Sequence, residues 1–104
     1  MNIDDYQKSA MQFRLPTADR EYALLNLVAE AGEVAGKAAK LRRDGGNIDV
    51  YLAYIKKELG DVMWHIGAVA DDHGFTMSEI CQANLDKLFD RQKNGTIQGS
   101  GDDR

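Results

Sequence analysis

The sequence predicts an all-α fold, an antiparallel four-helix bundle in which two long central helices are flanked by two shorter ones. Three observations predict it. Apolar residues recur at helical spacing through long runs, no segment alternates with period two for long enough to make a strand, and chain-breaking residues fall at only a few places. The chain of 104 residues can bury one core but not two, so residues 1–104 read as a single domain.

A first segment, Asp4 to Leu15, repeats Tyr6, Ala10 and Phe13 at helical spacing. It is closed by the single proline, Pro16, which disfavours helical geometry at Leu15. Thr17 is then placed to cap a second helix, whose apolar positions Leu24, Leu27, Val28, Ala31, Val34, Ala35, Ala38 and Leu41 carry it to about Arg43. Asp44-Gly45-Gly46-Asn47 ends that helix. A third starts at Ile48 or Asp49, turns Leu52, Ile55, Leu59, Val62, Met63, Ile66 and Val69 inward, and stops at Gly74 with His73 in its last turn. Thr76 and Glu79 form a capping box for a fourth helix that reaches about Asn94, with Met77, Cys81, Leu85 and Leu88 on one face. The tail from Gly95 to Arg104 is glycine-rich and reads as non-helical.

Composition removes several function classes. No run of apolar residues is long enough for a membrane span or a secretory signal, and the segment after Met1 is polar and mixed in charge, so the chain is expected to be soluble and cytoplasmic. Cys81 is the only cysteine, which excludes an intramolecular disulfide and a thiolate metal cage. Seventeen acidic against thirteen basic residues leave a net charge of -4, against the basic surplus of a nucleic-acid binder. A polyanionic ligand then requires a cation or a local basic cluster.

Two carboxylate pairs are the candidates for such a cation site. Glu30 and Glu33 in the second helix, and Glu58 and Asp61 in the third, each stand three residues apart, which places both members of a pair on one helix face a turn apart. One such pair alone reads most simply as solvated surface charge. Two pairs, on the two longest helices and with 24 residues between Glu33 and Glu58, can face each other when the chain turns back antiparallel. Four carboxylates at one point repel unless a cation joins them, and hard oxygen donors without thiolate favour Mg²⁺, with Mn²⁺ as a substitute. The Glu-x-x-His spacing of a di-iron bundle is missing. His65 lies four residues after Asp61 on the same face, within reach of the site, while His73 reads as a helix-end residue. Lys37, four after Glu33, suits a surface ion pair at least as well as a phosphate contact. In the fourth helix Asn84, Lys87 and Arg91 form a polar stripe whose charged donors suit a polyphosphate.

At these residues the chain resembles a known family. Glu30-Ala31-Gly32-Glu33-Val34, then Glu58-Leu59-Gly60-Asp61-Val62-Met63-Trp64, then Asn84-x-x-Lys87-Leu88-x-x-Arg91 and the ending Gly-Ser-Gly-Asp-Asp-Arg are similar to the all-α nucleoside triphosphate pyrophosphohydrolases, the MazG-like superfamily. The likeness covers about residues 20 to 104. It implies Mg²⁺-dependent hydrolysis of a nucleoside triphosphate between its α and β phosphates, giving the monophosphate and pyrophosphate. Glu30, Glu33, Glu58 and Asp61 match the family's magnesium ligands, with Glu30 or Glu33 as the proton acceptor. Lys87 and Arg91 would hold phosphates, and Asn84 the sugar or a phosphate. His65 stands where family members often carry a tyrosine near the sugar and base, a departure that bears on base preference. Relatives of this kind are dimers or tetramers with sites between subunits, so a homodimer or homotetramer is expected. The competing reading is a non-catalytic helical module for nucleotide sensing or protein interaction that retains the metal site.

Overall fold

Four capping side chains set where the helices begin in the computed structural model, which describes residues 1–104. Asn2 accepts from the Asp5 amide and starts α1 (Ile3–Met11). Asp19 accepts from Tyr22 and starts α2 (Arg20–Asp44), Asn47 accepts from Asp49 and Val50 and starts α3 (Ile48–Asp72), and Thr76 accepts from Glu79 and starts α4 (Met77–Asn94). Each of these oxygens satisfies a backbone donor that the first turn of a helix leaves without a partner. No strand forms, and α2 and α3 are equal in length at 25 residues. Gly45 and Gly46, at φ 70° and 137°, take the backbone conformations that let the chain reverse between them.

Two boundaries differ from the sequence expectation. Helix α1 stops at Met11, short of Leu15, because its end is claimed by side chains from elsewhere. Trp64 Nε1 donates to the Ala10 carbonyl, and Arg14 turns away to meet Asp72. Asp19 caps α2 in place of Thr17, since Pro16–Ala18 is spent in a turn that is closed by the Ala18 amide on the Leu15 carbonyl and held by Arg14 Nε on the Ala18 carbonyl.

The packing is lopsided. Helices α2 and α3 form an antiparallel hairpin, α1 lies across α3 and α4, and α4 touches α1 and α3 but not α2. Gln7 stitches the three-helix junction together: its amide donates to the Gly67 and Phe75 carbonyls, and its oxygen accepts from the Met77 amide. Gly67 leaves room there, as a Cβ would stand 3.3 Å from the Met77 sulfur. Arg14 and Asp72 add a bidentate ion pair at 2.9 Å.

Away from this junction the expected core positions are open. Leu24, Val28, Leu52, Leu59, Leu85 and Leu88 are exposed, Val28 at 73%, and only nine residues are buried. The radius of gyration is 16.6 Å, against roughly 13 Å for a closed domain of this length. The periodicity located the apolar stripes correctly, but one protomer brings too few helices together to cover them. No helix is long and apolar enough to cross a membrane.

Candidate metal centre

The α2–α3 hairpin brings Glu30, Glu33 and Glu58 together, with one oxygen from each lying within 4.8 Å of the others. The three arrive there because Glu30 and Glu33 are one turn apart on α2, and the short reversal at Gly45–Asn47 returns α3 alongside. Glu33 is exposed, while Glu30 and Glu58 are half-buried. One oxygen of each half-buried carboxylate, Glu30 Oε2 and Glu58 Oε2, is shielded from solvent and has no hydrogen-bond partner. Asp61, a turn beyond Glu58, is exposed and lies outside this triplet.

The electrostatics of the triplet are unfavourable as it stands. A hydrogen bond shared with the Glu33 carboxyl raises the Glu58 pKa above the ordinary carboxylate value, and burial and repulsion from Glu33 and Asp61 act in the same direction. Lys37 opposes the shift. Shielded, unpartnered oxygens on mutually repelling carboxylates suit a hard divalent cation, which would bind all three and remove the repulsion. The donor set therefore fits Mg²⁺ or Mn²⁺.

A cavity of about 430 Å³ borders the triplet, lined by Ala29, Gly32, Glu33, Gly36, Lys37 and Lys40. It is open at Gly32 and Gly36, where a Cβ would meet nothing within 4 Å. Lys37 makes no ion pair with Glu33. Its ammonium sits 4.7 Å from the centre of the Tyr54 ring, where the π face holds it.

The residues expected on the fourth helix stand apart. Lys87 and Arg91 line a second cavity of about 440 Å³ with Asp90, Asn94, Asp102, Asp103 and Arg104, and it shares no residue with the first. Asn84 is exposed and lines neither. The tail folds back over the two cations. Asp102 pairs with Lys87 at 3.4 Å, and Arg91 donates to the Gly101 and Asp102 carbonyls. Hydrogen bonding to Lys87, then the charges of Lys87 and Arg91, hold Asp102 below the ordinary carboxylate range. Arg104 fastens the loop by donating to the Thr96, Ile97 and Gly101 carbonyls.

His65 is turned toward α2 and its own helix backbone. It is buried at 7% exposure, with Nδ1 at 2.8 Å from the Asp61 carbonyl and Nε2 at 2.9 Å from the Asn26 amide. Asn26 also reaches Glu30 Oε1 at 3.5 Å. The sequence reading passed over Asn26, although its position four residues before Glu30, among Leu24, Leu27 and Val28, marked it as a polar group on the same helix face.

Two comparisons with known proteins give matches. The model of the MazG nucleotide pyrophosphohydrolase domain matches residues 19–96. The chain is also 41% identical, over 114 aligned positions that cover 100% of both chains, to the Gene 37 protein of Mycobacterium phage L5. No solved structure matches.

Proposed function

The chain belongs to the MazG nucleotide pyrophosphohydrolase family, and from that premise we propose that it is a Mg²⁺-dependent enzyme, one domain over residues 1–104, that hydrolyses a nucleoside triphosphate to the monophosphate and pyrophosphate. The observation that carries the proposal is the convergence of Glu30, Glu33 and Glu58 with two shielded, unpartnered oxygens. With Asp61, the fourth acidic position of the motif, they would hold the cation. When bound, Mg²⁺ neutralises charge on phosphate oxygens and acidifies water.

The protein's own groups do the rest. Glu33, the exposed member that lines the cavity, accepts the proton of the attacking water as the bond between the α and β phosphates breaks. Glu30 is the other candidate for that role. Lys87 and Arg91 hold phosphates by charge-assisted bonds once the Asp102 carboxylate gives way to them, and Asn84 serves the sugar or a phosphate. Because α4 does not reach α2 within one protomer, and because the apolar stripes of α2, α3 and α4 are open, the working form is a homodimer or homotetramer. Light scattering on the pure protein tests that; a monomer at micromolar concentration would rule it out.

The activity is tested by measuring pyrophosphate release over the common and modified nucleoside triphosphates with Mg²⁺. Release from at least one, abolished in Glu58→Gln, is expected; no release from any would end the proposal. A second reading, a nucleotide-sensing module, draws on the engagement of Lys87 and Arg91 by the tail. A nucleotide-induced rise in Tm without pyrophosphate release would favour it.

A further inference from the structure

Next to the carboxylate triplet, α2 and α3 are joined side chain to side chain by a hydrogen bond between Asn26 and His65. The Asp61 carbonyl can only accept, so the hydrogen bond from His65 Nδ1 places the proton on that nitrogen. In the neutral ring Nε2 is then an acceptor, and the Asn26 amide must donate to it. An amide nitrogen carries two hydrogens, and the second points to Glu30 Oε1. The imidazole is held by burial and by edge-on packing against Trp64, with ring centres 4.9 Å apart, while Trp64 is itself tied to the Ala10 carbonyl. A directed chain thus runs from the α3 backbone at Asp61 through His65 and Asn26 to Glu30. Asn26 is the only hydrogen-bond partner of the Glu30 carboxylate, whose other oxygen is the shielded, unpartnered Oε2.

We propose that Asn26 and His65 are positioning residues that hold the Glu30 carboxylate in one orientation, with Oε1 occupied and Oε2 free for a divalent cation. The proposal rests on reading the triplet as a metal site. Outer partners of a metal-binding carboxylate raise affinity because the side chain is ordered before the ion arrives, and losing one weakens binding by about ten- to a hundredfold. The neutral Nδ1–H form of His65 is required, since a protonated ring would turn its Nε2 donor against the Asn26 amide hydrogens. The same geometry explains a histidine at this position: it serves the carboxylate across the hairpin and not the nucleotide.

The test is a calorimetric titration of the full-length protein with Mn²⁺, beside the ¹⁵N shifts of the two histidines. Asn26→Ala and His65→Leu should weaken Mn²⁺ binding by about ten- to a hundredfold with helical circular dichroism unchanged, whereas His65→Gln, which keeps an acceptor near Nε2, should stay within a few-fold of the wild type. Wild-type His65 should give the Nδ1–H pattern. A wild type that binds no Mn²⁺ overturns the metal reading itself. A wild type that binds with Asn26→Ala unchanged overturns only the positioning role. Finding the Nε2–H pattern for His65 also overturns it and needs no variant to fold. Equally decisive against it is a His65→Leu protein with native Mn²⁺ affinity and a raised KM for nucleotide.

Discussion

The two halves of α3 are built to different ends. Every buried residue of the helix, His65, Gly67, Ala68 and Ala70, lies in its second half, where α1 and α4 close over it. There the polar groups are paired: Gln7 satisfies three backbone groups, Trp64 one, and Arg14 meets Asp72. The first half, from Ile48 to Asp61, contains no buried residue, and there Glu58 sits with an oxygen shielded and unpartnered. Stability is concentrated at one end of the rod and electrostatic conflict at the other. A fold can tolerate clustered carboxylates when the elements carrying them are anchored elsewhere, and the cluster then remains ready for a cation.

The largest effect that would sharpen this contrast is on activity. Glu58→Gln should reduce pyrophosphate release at least a hundredfold, roughly 3 kcal/mol of transition-state stabilisation, with the melting curve of a folded protein. At the other end of α3, Gln7→Leu strands the Met77 amide and takes a donor from the Phe75 and Gly67 carbonyls, and should cost about 2–3 kcal/mol, on the order of 10–15 °C in Tm by differential scanning calorimetry. If the two variants exchanged these phenotypes, the division between anchor and site would be wrong.

Next comes the ion pair. Arg14 depresses the Asp72 pKa, chiefly through the hydrogen bond. A depressed carboxylate contributes stability above its unfolded value of 3.8 that is lost as pH falls through the lower folded value. Asp72→Asn should therefore cost about 1–2 kcal/mol at pH 7 and progressively less below pH 4 in thermal melts. Glu58 has the opposite sign. Its folded pKa is raised, so its contribution is present below the unfolded value of 4.5 and is lost as pH rises through the folded value. In EDTA, Glu58→Gln should melt above the wild type at pH 7, with the gap closing toward pH 4.5; Mn²⁺ should reverse the order. An unchanged difference across that range would break the comparison.

The smallest effect concerns the tail. Asp102 is exposed and its pairs with Lys87 and Arg91 are modest, so Asp102→Asn should lower KM for the nucleotide by at most about fivefold with kcat unchanged. A raised KM would instead make Asp102 part of the binding surface.

Much of the fold was legible because it rests on local rules. The 3.6-residue recurrence of apolar positions located all four helices, and Gly45-Gly46, Thr76 and Gly95 marked ends that a backbone donor or a positive φ requires. The early stop of α1 and the start of α2 at Asp19 were not legible, because Trp64 and Asp72, some fifty residues away, take the groups concerned. At the site, spacing alone paired Glu30 with Glu33 and pointed them toward Glu58, since helix geometry and a short reversal leave little freedom. The partners of His65 could not be read, because a side chain on an amphipathic helix can face a ligand, a neighbour or solvent with the same periodicity.

By itself, then, the sequence determined the all-α class, the two long helices and the family, each carried by short-range pattern: apolar period, capping residues and acidic pairs one turn apart. Only the tertiary structure decided which acids meet first, that Asn26 and His65 link the two helices behind Glu30, that Asp102 sits on the cations of α4, and that the apolar stripes stay uncovered in one protomer. These depend on the angle and offset at which helices cross, which follow from the sum of many weak contacts along the chain and are written in no single motif.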